Sequence, residues 1–325
     1  MKFTFRNIWN VLKQTFKDFG TLNITRMSAA LAYYTVFALA PMLLVIITIC
    51  GVFFGREAIE GRIYAQIKSF VGSEAAIQIQ QLIKNAAISP GLTFASTIGV
   101  IALIFSATGV FAEIQSSINT IWRLKANPKK GGVIKILLTR LLSFSMIVSL
   151  GFLLMVSLIV NAALAALVDR LTQIFPGITV YLTYAINVIL TFIATAILFA
   201  VIFKVLPDAR VKFKDIRAGA ITTALLFMLG RFAIGFYLGQ SKVSSTYGAA
   251  GSLVVILLWV YYSAIILYFG AAFTRAYVSR NGGHIYPNNY AVFVEQVEVE
   301  NKGSLKDQST EVKKEVTKEE IEIKK

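Results

Sequence analysis

Several side chains in this 325-residue sequence could in principle carry hydrolytic or metal chemistry, and their placement decides against it. His284 is the sole histidine and stands beside Gly282-Gly283, beyond the last apolar run. Asp208 and Asp215 flank Arg210, Lys212 and Lys214, where paired loop carboxylates are the simpler reading than metal ligands. Metal-assisted cleavage needs several His, Asp or Glu ligands converging on one or two cations, and no such cluster is spelled out. Cys50 is the one cysteine and lies in an apolar run, so neither a disulfide framework nor a thiolate site is available within the chain. There is no G-x-S-x-G elbow, Walker loop or H-E-x-x-H. Serines and threonines abound without a candidate base, and bonding to helix carbonyls or across helix interfaces accounts for them. The expectation is a protein with no catalytic, metal or cofactor residues, and not an enzyme.

Ionisable groups inside apolar runs give the sharper signal, because each costs roughly 2.5–3.5 kcal/mol at mid-membrane and needs a partner or a cavity. Glu113 and Arg231 stand out. At 1.5 Å per residue, Glu113 falls about 28 Å inward from Phe94, near the far interface, and Arg231 about 20 Å outward from Ala218, so the two are not expected to pair. Glu113 reads either as an interfacial carboxylate near Gln115 and Asn119 or as a pathway residue. Arg231 lies among Gly230, Gly235 and Gly239. It either snorkels to headgroups or binds an anionic group in a close-packed or wet pocket. Trp259, Tyr262 and Tyr268 sit too deep for an interfacial belt and are expected to bond within the protein. Trp122 and Tyr261 read equally well as belt residues or as lining for a lipid or sugar path. Tyr247-Gly248 opens the sixth run with flexible residues, and Pro41 suggests a simple kink in the first. The substrate-pathway candidates are therefore Arg231, Glu113, Asn119, Tyr247, Gly248, Trp259 and Tyr262.

The elements that position these residues follow from composition. Hydrophobic residues make up 56% and charged residues 15%. Soluble domains carry about 25% charge, so the bilayer is the main solvent. Six runs are each comparable to the ~20 residues a helix needs to cross hydrocarbon: Ser28 to Phe54, Phe94 to Ile118, Thr139 to Ala166, Thr183 to Phe203, Ala218 to Leu238 and Ala249 to Tyr277. The fold expected is an all-α polytopic membrane bundle of six transmembrane helices.

Lys and Arg number five before the first run, six from the second run to the edge of the third, where Arg140 is counted, and five between the fourth and fifth, against four, one and one in the alternate connections. The positive-inside rule places the basic connections and both termini in the cytoplasm. The net charge of +15 thus belongs to membrane flanks and anionic lipid, not to a nucleic-acid partner.

Residues 1–27 carry Phe5, Ile8, Trp9, Leu12, Phe16 and Phe19 at helical spacing. An amphipathic N-terminal helix results, lying on the leaflet or packed on the protein's own loops. Within the membrane domain, 28–280, the external connection 55–92 predicts an amphipathic helical hairpin broken at Val71-Gly72-Ser73. Residues 281–325 read as a charged cytoplasmic tail, largely disordered.

A set of short patterns occurs in order: Ala29-Ala30-Leu31-Ala32-Tyr33-Tyr34, Phe105-Ser106-Ala107, Asn119-Thr120-Ile121-Trp122, Leu206-Pro207, Gly219-Ala220, Thr246-Tyr247-Gly248-Ala249, Leu258-Trp259-Val260-Tyr261 and Phe269-Gly270-Ala271. Across Met27 to Ala272 the chain resembles the YihY/BrkB family. The resemblance implies a six-helix bacterial inner-membrane protein. Its members have been labelled ribonuclease BN, serum-resistance or virulence factors, or candidate exporters of lipid or lipopolysaccharide precursors. The ribonuclease label meets the missing metal cluster described above. Two functions then compete: a transporter or flippase for an anionic amphipathic envelope molecule, and a non-enzymatic membrane scaffold or envelope-assembly factor. A homo-oligomer is compatible with either.

Overall fold

Long apolar runs must satisfy their backbone groups internally when water is absent, and helices do so segment by segment. The computed structural model describes residues 5–38, 76–77, 80, 109–126, 176–240, 251–281, 283–288 and 291–294, which are mostly helical. Helix α1 is Phe5–Thr21, and residues 24–38 and 109–121 form α2 and α3. Helices α4 (Pro176–Val205), α5 (Phe213–Gln240) and α6 (Gly251–Arg280) follow. Within the last three, Ala185–Val205, Phe213–Leu238 and Leu253–Arg280 are long and apolar enough to cross a membrane, with mean hydropathies of 2.6, 1.7 and 2.2. They correspond to the fourth, fifth and sixth expected spans. The third span, Pro41, the Tyr247-Gly248 turn, the tail from residue 295, and all of the 55–92 connection save helical residues 76, 77 and 80 lie outside the described residues.

Apolar side chains on α4 and α5 form outward stripes. Ile189, Ile193 and Ile197 repeat every four residues, as do Ile221, Leu225 and Leu229, continued by Phe232 and Phe236, and all are exposed. Such rows line one side of a helix and suit contact with hydrocarbon. The opposite sides pack α4 on α5 and α5 on α6.

The α5–α6 contact is a seam of small residues. Thr274 fills the notch left by Gly219, Thr223 the notch left by Gly270, and the Tyr262 hydroxyl lies against Gly230. Both helices therefore carry Gly-x-x-x-Thr in antiparallel register, each threonine entering the other's glycine groove. Thr223 Oγ1 donates to the Gly219 carbonyl at 2.6 Å and Thr274 Oγ1 to the Gly270 carbonyl at 2.7 Å. The hydroxyls are thereby satisfied inside their own helices.

The fold departs from all-α at one end. Strand β1 (Leu124–Ala126) pairs antiparallel with β4 (Ala291–Phe293), matching Lys125 with Val292. Strand β2 (Ala209–Arg210) pairs antiparallel with β3 (Tyr286–Pro287). These ladders satisfy backbone groups of connecting segments that leave the helices. Two or three residues display no period, so hydrophobic pattern gives no sign of them. They carry the compact part of the chain to Phe293, past the boundary expected at residue 280.

Beneath the ladders, Ile24, Ile118, Ile121, Trp122, Phe203, Ile216 and Tyr268 are at most 1% exposed and join α2 to α6 in one core. The Trp122 indole, read as a belt or path residue, is buried here and donates to the Ala271 carbonyl at 3.0 Å.

Candidate functional site

The structure places the described pathway residues at two levels. On the membrane-spanning part of α6, Trp259 and Tyr262 are half-buried and face α5. Trp259 meets the Phe227 ring edge-on at 6.2 Å, and Tyr262 seats on Gly230, the residue before Arg231. Arg231 is itself half-buried. Among the described residues, Trp259 Nε1 and Tyr262 Oη are buried and lack hydrogen-bond partners. The expectation that they bond within the protein is thus not met. A buried donor left unsatisfied in an apolar setting costs about 1–3 kcal/mol.

Nearer the ladders, Glu113 on α3 is half-buried and accepts from Ser117 Oγ at 3.1 Å. Tyr268 is fully buried. Ser117 and Glu113 are its polar neighbours, yet its hydroxyl makes no hydrogen bond of ordinary geometry among the described residues. The separation expected between Glu113 and Arg231 fits this arrangement, since α5 reaches Tyr262 at Gly230 and α6 reaches Glu113 only further on, at Tyr268.

Asn119 has both ends of its amide engaged. Its Nδ2 donates to Asp208 Oδ2 at 2.9 Å, and its Oδ1 accepts from the Asp208 backbone N–H at 2.8 Å. Gln115 Nε2 donates to Asp208 Oδ1 at 2.8 Å. Asp208 is 4% exposed, so a buried carboxylate clasps the α4–α5 connection to α3. The Asp208 carbonyl also accepts from the Asn288 N–H at 2.9 Å, extending the clasp to the chain after α6. Nothing local in the sequence pairs Asn119 with Asp208, 89 positions away.

Arg275 is a further charge inside the sixth run, beyond the two that stood out in the sequence. Its Nη1 donates to the Ile121 carbonyl at 2.6 Å, capping α3 with a cation at the negative end of the helix dipole. Its Nη2 lies 3.6 Å from Asp18 Oδ2 of α1. Asp18 is 4% exposed and also accepts from Gln14 at 2.9 Å.

At the same end, a cavity of about 400 Å³ opens between the end of α4, β2, the start of α5 and the segment after α6. Lys204, Arg210, Lys212, Lys214 and His284 line it, with Asp215 as the one acidic member. Lys204 donates to the Val211 carbonyl, and Arg210 Nε donates to Asn288 Oδ1 at 3.3 Å. His284 stacks on Tyr286 at 5.7 Å. The basic spacing Lys-x₅-Arg-x-Lys-x-Lys was visible in the sequence, whereas its convergence with His284 depends on the β2–β3 ladder.

Comparison with known proteins agrees with a membrane protein. The family model described as Virulence factor BrkB matches residues 15–289. A UPF0761 membrane protein of Saccharophagus degradans is 27% identical over 274 residues, covering 83% of this chain and 60% of that protein. Its counterpart in Alcanivorax borkumensis is 28% identical over 269 residues, covering 81% and 59%. That of Pseudoalteromonas atlantica is 27% identical over 258 residues, covering 78% and 80%. The chain spans about three fifths of the length of the first two. No solved structure matches it. The family match takes in the clasp, the α5–α6 seam and the basic cavity alike, and the chain belongs to the Virulence factor BrkB family of membrane proteins.

Proposed function

We propose that this chain is a multi-pass protein of the bacterial inner membrane, with its basic end and both termini in the cytoplasm. In this reading it carries an anionic amphipathic envelope molecule, a lipid or lipid-linked precursor, across the bilayer without covalent chemistry. The observation behind this reading is the α5–α6 contact at Gly230. There Tyr262 Oη is buried without a partner among the described residues, against the residue that precedes a half-buried arginine in a membrane-spanning helix, and Trp259 Nε1, likewise buried without one, faces Phe227 of the same helix. Polar and ionisable groups at membrane depth mark substrate pathways by default, because their cost is met only by a guest, a partner or water. Glu113, beside Ser117 and Tyr268, is the group through which proton coupling would run.

In liposomes holding the purified protein and a fluorescent anionic lipid, dithionite quenching of the inner-leaflet population should proceed far faster than in empty vesicles. Arg231→Leu should slow it by about tenfold, the loss of one charge-assisted contact. An equal rate in the variant, with folding unchanged, would remove Arg231 from the path. A scaffold role is the second reading, favoured by the folded layer of ladders outside the spans. It predicts inert vesicles and one reproducible co-purifying partner.

A further inference from the structure

We infer that the cavity between the α4–α5 connection and the segment after α6 is a binding site for a phosphomonoester dianion. Lys204, Arg210, Lys212 and Lys214 converge on it with His284, and Asp215 is the acidic residue of its described lining. Like charges that line one cavity repel one another wherever they lie within a Debye length, about 8 Å at physiological salt. An entering anion relieves that repulsion. The four cations are solvent-exposed, so the site is reached from water, while Asp215 is 7% exposed at the base of α5.

Two of the four are already positioned, Lys204 by the Val211 carbonyl and Arg210 by Asn288. Lys212 and Lys214 bracket the first residue of α5, where helix N–H groups add positive potential. A phosphomonoester brings a charge of about −1.5 to −2 and three strong acceptor oxygens. These match an arginine fork and point-charge lysines better than the single charge of a phosphodiester. A cavity of about 400 Å³ falls within the usual range for small-molecule sites and accommodates more than a bare phosphate. Its depth points the same way. The apolar spans end at Val205 and resume at Phe213, so a bilayer around them would put the cavity at headgroup level. Exposed Tyr286 in its lining can hold an acyl or glycerol portion.

This inference stands apart from translocation, since a protein that only binds would satisfy it. The test uses the full chain in phosphatidylcholine nanodiscs, titrated with dioctanoyl phosphatidate, dioctanoyl phosphatidylglycerol and inorganic phosphate. Phosphatidate should bind at least about tenfold tighter than phosphatidylglycerol. Lys212→Gln with Lys214→Gln should abolish that preference. Lys13→Gln with Lys17→Gln, which removes equal charge from exposed positions of α1, should leave it intact.

Displacement of phosphatidate by millimolar phosphate identifies the phosphoryl group alone as the ligand, so that a soluble source suffices. Resistance to displacement identifies a lipid-borne one. Equal binding of the two lipids, an unaffected Lys212/Lys214 variant, or equal loss in both double variants at unchanged melting temperature overturns the site. Arg231→Leu should bind phosphatidate normally, so failure here and failure of translocation are read separately.

Discussion

Gly219 and Gly270 each precede a threonine by four positions, and the two Gly-x-x-x-Thr pairs lock α5 to α6 by mutual insertion. In a bilayer, lipid competes for apolar surface as well as a neighbouring helix does, so close backbone approach of this kind supplies much of the association. A Cβ at Gly270 would collide with Thr223, whose side chain has no room to retreat within the seam. Gly270→Ala should therefore lower stability in detergent by about 1–3 kcal/mol, the usual cost of overpacking. Thr223→Gly in the same chain should recover part of the loss by moving the notch to the other helix. If unfolding in denaturing detergent shows the double variant simply summing the two single losses, the two residues do not touch. Gly219-Ala220 and Phe269-Gly270-Ala271 were visible as patterns in the sequence, but their partnership was not, because it depends on antiparallel register between separate helices. Asn119 illustrates the same limit. Its residue type marks a polar site, whereas its engagement by Asp208 at both amide atoms belongs to tertiary structure.

Helix α1 shows what period reading captures at the scale of an element. Phe5, Ile8, Trp9, Leu12, Phe16 and Phe19 at helical spacing predict an amphipathic helix, and α1 is one. The expected choice between lipid surface and protein surface turns out to be shared. Val11, Thr15 and Asp18 are buried, with Val11 packed among Phe273, Ala276 and Tyr277, while Trp9 and Phe16 remain 63% and 65% exposed. Among the described residues, the partner is the last membrane helix, α6. Sequence favoured the more apolar stripe, but burial against protein tolerates polar residues once each has a partner. Thr15 bonds the Val11 carbonyl at 2.8 Å, and Asp18 has Gln14 and Arg275. Asp18→Ala removes the counter-charge of a largely buried guanidinium, which should cost about 1–3 kcal/mol. Hydrogen exchange should rise across α1 while α3, still capped by Arg275 at the Ile121 carbonyl, stays protected. Unchanged exchange in α1 would mean that apolar contacts alone hold it.

Across the whole molecule, the charge asymmetry of the connections and the ladders describe one polarity. The chain leaving α3 pairs with the chain beyond α6, the α4–α5 connection pairs with that same segment, and Asp208 ties both connections together. Two loops and the post-α6 segment therefore share one end of the bundle, as counting Lys and Arg anticipated. That count rests on how charges partition across a bilayer. The ladders rest on backbone hydrogen bonding, which is a separate cause. Their agreement yields a test of topology and register together. Lys125 and Val292 are matched across an antiparallel ladder, where facing Cα atoms lie ~4.5–5.5 Å apart, within disulfide range. Lys125→Cys with Val292→Cys, in a Cys50→Ser background, should cross-link under mild oxidation, whereas Lys125→Cys with Phe293→Cys, one position out of register, should cross-link far less. With the basic end facing inward, as proposed, an impermeant maleimide applied to intact cells should leave both cysteines unlabelled until the membrane is opened. Labelling of either cysteine in intact cells would reverse the proposed orientation, and failure of the matched pair to cross-link would dissolve the ladder that joins the chain leaving α3 to the segment beyond α6.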